Sequence, residues 1–350
     1  MVQYHVFFLN VGQGDGTLIV KREISDFSEV VCKTLMVDTD QDIIDSVKLV
    51  KGSIPKINRN GKEVHFLDTM IISHPHSDHI GGLDSYVNDS EIMVGKIFHP
   101  DYDFIEDKDT ADYRAYNKLR KDSSSQSETR LIAGTEYGND VGIKFVALSP
   151  PKTIESADKF KDQSEKIQVH NQCAVVSVDL NKTKILFLGD ANQECIKRLM
   201  QFHKEKLPAY ILSASHHGSN SIFVPEEDVE ESLADVKRGD HDGWDEAFLD
   251  TINPYYVVIS CGKDNSYKHP HSAALEAYKN GRVVKRTDEH DTLYLVIDND
   301  GACSTPKSLK TYAEVRDTIK SLFPGNAKSN SSVGPFFIGG TQLPVTPHNA

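Results

Sequence analysis

His74, His76, Asp78 and His79 fall within six positions, in the stretch Ser73-His74-Pro75-His76-Ser77-Asp78-His79-Ile80-Gly81-Gly82. Imidazole nitrogen and carboxylate oxygen are the usual ligands of zinc and similar first-row metals. Four candidates on one loop exceed what a single catalytic metal with an open position needs, so the pattern predicts two metals. A polar surface turn has no reason to collect this set. Met70-Ile71-Ile72 before it reads as a buried strand, and Gly81-Gly82-Leu83 after it leads into a helix. The loop therefore sits at a strand-to-helix junction.

Other stretches carry matching chemistry. Ile185-Leu186-Phe187-Leu188-Gly189 reads as a strand that delivers Asp190, and His216-His217-Gly218 follows another apolar run. Asn265, His269 and His271 share a later loop, and His170 lies twenty residues before Asp190. Adjacent residues of an extended segment point opposite ways, so at most one of His216 and His217 is expected to face a metal directly.

The His-x-His-x-Asp-His motif resembles the signature of the metallo-β-lactamase superfamily. Phe8-Leu9-Asn10-Val11-Gly12-Gln13-Gly14-Asp15, Leu188-Gly189-Asp190-Ala191 and Ser215-His216-His217-Gly218-Ser219 narrow the likeness to its ComEC-type branch, the hydrolase domain of a bacterial DNA-uptake channel. The likeness runs from about residue 3 to 298, and the channel's membrane part has no counterpart in the sequence. It implies an αββα sandwich, two mixed β-sheets flanked by helices, which periodicity alone would give only as α/β or α+β.

The resemblance also implies roles. One metal would take His74, His76 and His170, although ComEC-type sequences often carry asparagine where His170 stands. The other would take Asp78, His79 and a late histidine, assigned to His269. Asp190 would bridge the two. His216 and His217, with Asp78, would serve the reaction itself. Asp15, with Gln13, and Asp38 would support the ligands from behind, as metal-bound histidines usually require. Two divalent ions are expected, Zn²⁺ first, with Mn²⁺ or Fe²⁺ as substitutes. A metal lowers the pKa of bound water towards about 7, so a metal-bound hydroxide is expected to attack phosphorus or a carbonyl carbon. A histidine of the His-His-Gly loop would protonate the leaving oxygen. The expected activity is that of a phosphodiesterase or nuclease. The alternatives are hydrolysis of a carboxylic ester, lactone, thioester or amide, and a catalytically dead binding protein.

These residues need a scaffold. Strands are predicted at 4–11, 17–20, 34–37, 95–99, 142–148, 173–180, 183–188, 210–213, 255–261, 283–284 and 292–297. Helices are predicted at 41–50, 83–87, 191–203 and 272–279. Residues 52–63 read as a polar loop and 152–166 as a charged linker. Two acidic insertions, 101–138 (with a short helix near 112–119) and 223–243, interrupt the domain at 1–300. Thr305-Pro306 predicts the start of a C-terminal helix over 305–323, since proline favours the first helical position. The Gly-, Ser- and Pro-rich stretch 324–350 reads as a disordered tail.

Composition sets outer bounds. The 350 residues are 38% hydrophobic and 26% charged, ordinary for a soluble globular protein. No apolar run approaches the roughly 18 residues of a membrane span, and no signal-peptide pattern opens the chain. The five scattered cysteines contain no Cys-x-x-Cys, which fits a reducing, cytoplasmic setting. The net charge of −13 disfavours nucleic acid as a partner, because such binding draws on clustered Lys and Arg. A small phosphodiester is the expected substrate, with no membrane partner.

Overall fold

The structure is a computed structural model. It describes residues 1–25, 30–101, 110–122, 130–138, 142–152, 165–225 and 233–324. The first half runs β1 (Val2–Phe8), β2 (Thr17–Ile24), β3 (Val30–Val37), α1 (Ser46–Ser53), β4 (Lys56–Arg59), β5 (Lys62–Ile71), α2 (Ser77–Ile80), α3 (Leu83–Asn88), β6 (Ile92–Phe98) and α4 (Ala111–Asp122). The second half runs β7 (Glu136–Tyr137), β8 (Phe145–Ser149), α5 (Glu165–Asn171), β9 (Val175–Leu180), β10 (Thr183–Phe187), α6 (Gln193–Phe202), β11 (Ile211–Ser213), α7 (Ala247–Ile252), β12 (Tyr256–Ile259), α8 (Ser272–Lys279) and β13 (Val283–Arg286). The chain then returns to the first sheet through α9 (Thr287–His290), β14 (Thr292–Ile297), β15 (Lys307–Leu309) and α10 (Tyr312–Ser321).

One sheet has the order β15-β14-β1-β2-β3-β5-β4, with β6 also paired to β5. The other has the order β13-β12-β11-β10-β9-β8-β7. Strand side chains alternate between faces. Tyr4, Val6 and Phe8 of β1 therefore point to the space between the sheets, where they meet Phe145, Val176, Val178, Ile185 and Phe187. Phe7 points the other way, with Leu18, Met36 and Met70, and packs under α1, α3 and α10 through Val47, Leu83, Val315 and Ile319. On the far side Leu186, Leu212 and Val257 lie under α6, α7 and α8 through Cys195, Leu199, Phe248 and Tyr278. Three apolar layers between four layers of elements make the αββα sandwich. Each large side chain buried this way contributes about 1.5–3 kcal/mol, so the sheets form a stiff base for the loops at their edge.

Several expectations need correction. Residues 52–63 are not a loop: β4 and the start of β5 form a hairpin turning at Asn60 (φ 54) and Gly61 (φ 81). The stretch 152–166 runs into α5, the helix that carries His170; residues 153–164 lie outside the described ones. The helix expected at 41–50 starts only at Ser46, where the Asp45 side chain accepts from the Lys48 N–H at 2.8 Å. Pro306 does not open the C-terminal helix, so the 305–323 boundary fails. Lys307–Leu309 first pairs with β14, and the helix begins after Thr311, whose side chain and Glu314 form a reciprocal capping box. Within 101–138, the short helix expected near 112–119 is α4, and it belongs to the core: Ala115 and Tyr116 are buried under the first sheet. Parts of both expected insertions (102–109, 123–129 and 226–232) and all of the tail from 325 lie outside the described residues.

Candidate metal centre

The parallel strands β3, β5 and β6 in one sheet and β10, β11, β12 and β13 in the other run towards a common edge. Their carboxyl ends deliver the site residues. Asp38 follows β3, Ser73-His74 follow β5, Gly189-Asp190 follow β10, and His216-His217 follow β11.

Asp38 is the anchor of the histidine loop. Its carboxylate accepts from the Ser73 N–H at 2.7 Å, the Ser73 hydroxyl at 2.8 Å and His79 Nδ1 at 3.0 Å. This places a proton on His79 Nδ1 and turns Nε2, the atom left for a metal, to Asp190 Oδ1, 3.1 Å away. Ser73 Oγ, having given its proton to Asp38, faces His74 Nδ1 at 3.1 Å as an acceptor. The His74 lone pair then lies on Nε2, 3.6 Å from Asp190 Oδ2 and 3.0 Å from His76 Nδ1. The sequence reading missed Ser73. A hydroxyl residue directly before the first histidine was the available signal.

Asp190 sits at the centre. Its Oδ2 lies 3.6–3.7 Å from Nε2 of His74, His170 and His216, and its Oδ1 lies 3.1–3.9 Å from Nε2 of His79 and His217. Two groups result, each with its ligand atoms within 4.8 Å of one another: His74, His76, His170 and Asp190, and Asp78, His79, His217 and Asp190. Asp190 belongs to both. Gly189 allows the approach, because at φ +51 a Cβ there would meet Cys173 Sγ at 2.6 Å and Ser73 Cβ at 2.8 Å.

The second group holds His217 where sequence reasoning put His269. The reasoning assumed an extended segment, but His216 (φ 46) and His217 (φ 53) are both left-handed and are followed by Gly218 (φ 84). This tight turn aims both rings inward. His217 Nδ1 donates to the Ser260 carbonyl at 3.0 Å, which turns Nε2 to Asp78 Oδ2, 3.3 Å away. His216 Nδ1 lies 3.0 Å from the Ser221 hydroxyl.

His269 is one ring further out, 5.3 Å from His216 between centroids. Gln13 orients it. The Gly262 N–H must donate, so it fixes Gln13 Oε1 at 3.1 Å, and the Gln13 amide then donates to His269 Nδ1 at 3.2 Å. The His269 proton is left on Nε2. His271 is structural: Nδ1 accepts from the Asn220 N–H at 3.0 Å and Nε2 donates to the Tyr267 carbonyl at 3.2 Å. Asp15 lies behind His79, with Oδ2 3.8 Å from Nδ1, and its N–H donates to the Asp78 carbonyl at 3.0 Å.

The electrostatics follow from burial and crowding. Burial pushes His74 and His216 down, each further lowered by neighbouring histidines, and it takes His76 to about 3. Burial also pushes His79 and His217 down, but the carboxylates outweigh it. Asp190, Asp38 and Asp78 hold His79 well above the usual range, and Asp190 and Asp78 lift His217 to about 9. Burial would raise Asp190 and Asp78, yet the facing histidines hold both well below the usual carboxylate range. Asp15 is pushed up to about 6, chiefly by burial. In the metal-free protein, protons on His79 and His217 thus stand where positive charge is needed.

Two divalent ions fit this donor set. Buried polar atoms are normally hydrogen-bonded, yet His79 Nε2, His217 Nε2 and Asp190 Oδ1 are buried together without such a bond. Metal binding takes ionised carboxylates and imidazole nitrogens without a proton, so bound ions would displace the Nε2 protons of His79 and His217, and nitrogen with oxygen suits Zn²⁺, Mn²⁺ or Fe²⁺.

The chain belongs to the metallo-β-lactamase superfamily: the model of that family matches residues 57–263, more than half of the chain. Among characterised proteins, Recombination protein 2 of Haemophilus influenzae is 24% identical over 273 residues, covering 78% of this chain and 26% of its own. ComE operon protein 3 of Bacillus subtilis is 24% identical over 247 residues, covering 69% and 26%. These matches bear out the ComEC-type resemblance. The chain spans about a quarter of the length of these relatives. Among solved structures, the metallo-β-lactamase fold protein YhfI from Bacillus subtilis is 12% identical with a TM-score of 0.41, covering 86% of this chain and 99% of its own. A long-form RNase Z from yeast is 11% identical with a TM-score of 0.42, covering 92% and 44%. Among the described residues, no helix is long and apolar enough to cross a membrane.

Proposed function

We propose that the chain is a hydrolase of small phosphodiesters that works with two divalent metal ions, Zn²⁺ before Mn²⁺ or Fe²⁺. The observation that carries this reading is the Asp190 carboxylate, with one oxygen towards His74 and His170 and the other towards His79 and His217. Bound ions would supply Lewis acidity and a water activated near neutral pH. His74, His76 and His170 would hold one ion, Asp78, His79 and His217 the other, and Asp190 both.

The protein's own groups would do the rest. Asp38 and Ser73 hold the Nδ1 sides of His79 and His74, so that Nε2 of each faces inward for a metal. His269, with its proton on Nε2, and His216 stand beside the two groups and offer imidazole N–H to phosphoryl oxygens as charge develops there. Asp78, kept ionised, holds His217 in place. Two imidazoles beyond the ligand groups suit the several oxygens of a phosphate better than the single oxygen of a carbonyl. One relative is named for recombination, a process on nucleic acid, which also favours a phosphodiester. The net charge of −13 favours a short substrate over duplex DNA. The five cysteines are all free, which supports a cytoplasmic setting.

The test is turnover of bis-p-nitrophenyl phosphate beside a panel of lactones, thioesters and carboxylic esters, before and after chelation and re-addition of metal. Phosphodiester turnover that chelation abolishes and Zn²⁺ or Mn²⁺ restores is expected. Turnover confined to the carbonyl substrates would replace this reading with the ester or lactone one.

A further inference from the structure

A cavity of about 10 Å³ lies between the two sheets at their metal-bearing edge. That volume has room for one water molecule. Val37 and Ile71 of the first sheet and Val176 and Phe187 of the second form its apolar walls. Three polar side chains reach it from separate elements: Asp15 from the loop after β1, Thr17 from the start of β2 and Ser213 from the end of β11. Asp38 and Ser73 also border it, but their groups are in use. Asp38 accepts from the Ser73 N–H, the Ser73 hydroxyl and His79 Nδ1, and Ser73 Oγ then faces His74 Nδ1.

The other three are not in use. Among the described residues the Asp15 carboxylate accepts no hydrogen bond, His79 Nδ1 at 3.8 Å being out of reach. The hydroxyls of Thr17 and Ser213 bond neither each other nor any other described group, although both residues are more than nine-tenths buried. Buried polar groups are normally hydrogen-bonded, and a carboxylate withdrawn from solvent without a donor is costly. One acceptor and two hydroxyls around a space of this size are what a buried water needs, since such a water usually makes about three hydrogen bonds. A cation fits less well. Asp15, Asp38 and His79 do form a group with ligand atoms within 4.8 Å of one another, but His79 Nδ1 carries a proton and Asp38 already serves three donors.

We propose that this cavity binds one structural water, which donates to the Asp15 carboxylate and accepts from the Thr17 and Ser213 hydroxyls, and that the water thereby holds Asp15 in place behind His79. Asp15 is then a positioning residue. Its N–H donates to the Asp78 carbonyl at 3.0 Å and its carbonyl accepts from the Asp40 N–H at 3.2 Å, so a fixed Asp15 fixes the turn that carries Asp78 and His79.

The test is a double-substitution cycle on the chelated protein by urea unfolding, with Thr17→Val, Ser213→Ala and both together. The two hydroxyls do not touch, so without a shared partner their losses add. With the water shared, the double variant should lose clearly less than the sum, and additive losses overturn the site. A crystal structure of wild type should show one density peak about 2.5–3.0 Å from the Asp15 carboxylate and both hydroxyls. The absence of a peak overturns the site as well, as does a peak with about six oxygens at about 2.4 Å, the pattern of a cation. Zn²⁺ affinity by chelator competition should fall roughly tenfold in each single variant, and no further in the double. Non-additive unfolding with unchanged Zn²⁺ affinity would support the water and overturn its hold on the ligand turn. None of these readouts uses turnover, so they stand apart from the phosphodiesterase reading.

Discussion

His216 and His217 are consecutive, yet both rings reach one carboxylate: His216 Nε2 lies 3.6 Å from Asp190 Oδ2 and His217 Nε2 lies 3.9 Å from Asp190 Oδ1. In an extended segment this is impossible. It arises because both residues are left-handed, a conformation costing about 1–2 kcal/mol per non-glycine residue. The turn is held by the Ser260 carbonyl on His217, the Ser221 hydroxyl at His216, and Gly218, where a Cβ would come within 2.5 Å of Pro270 Cβ.

That geometry separates the histidines by role. His217→Ala should remove about one metal equivalent per chain, because His217 shares a ligand group with Asp78, His79 and Asp190. His269→Ala should keep both metals and lower turnover by about 10²–10³, the usual cost of losing one preorganised donor. Metal analysis of the two variants beside their kinetics decides it. Loss of metal from His269→Ala with full retention in His217→Ala would return the ligand role to His269.

Gly189 should not tolerate a side chain. Alanine there would take a left-handed φ of +51 and place a Cβ 2.6 Å from Cys173 Sγ and 2.8 Å from Ser73 Cβ. The conformational and overpacking costs together come to roughly 2–5 kcal/mol. Urea unfolding of chelated Gly189→Ala should show a loss of that size. An unchanged midpoint would mean that the β10 end can shift, and that Asp190 is less firmly placed than described.

His5 should steepen the acid limb of stability. It stacks on Tyr294 with its Nδ1 2.8 Å from the tyrosine hydroxyl, and burial, helped by Arg22, pushes its pKa to about 4. Above about pH 6.5 the ring is neutral folded and unfolded alike. Between 6.5 and 4 the unfolded chain takes a proton that the folded chain refuses, so stability is lost as pH falls. His5→Phe keeps a ring and removes this loss. Unfolding free energies of the chelated proteins should therefore fall more steeply for wild type than for His5→Phe over that window. Parallel curves would show that His5 does not contribute.

The legible part of the site was local in sequence. His74, His76, Asp78 and His79 share one loop, and Asp190 ends an obvious apolar strand, so residue type and position found them. His170 was placed only by resemblance, because the charge of 152–166 concealed α5. The His216-His217 turn was illegible because nothing in two histidines signals a positive φ; tertiary contacts impose it. The β4 hairpin did carry a signal, Asn60-Gly61, which favours a tight hairpin turn. The Thr311-x-x-Glu314 capping box likewise marked the true start of α10. In both places the polar composition and a neighbouring proline were given weight that belonged to turn and cap chemistry.

The central claim is that two ions share Asp190, and counting metal per chain in purified wild type, His170→Ala and Asp190→Ala tests it most directly. About two equivalents are expected in wild type, about one in His170→Ala, and close to none in Asp190→Ala, with every protein still folded by circular dichroism. An Asp190→Ala protein that retains as much metal as wild type would contradict the account.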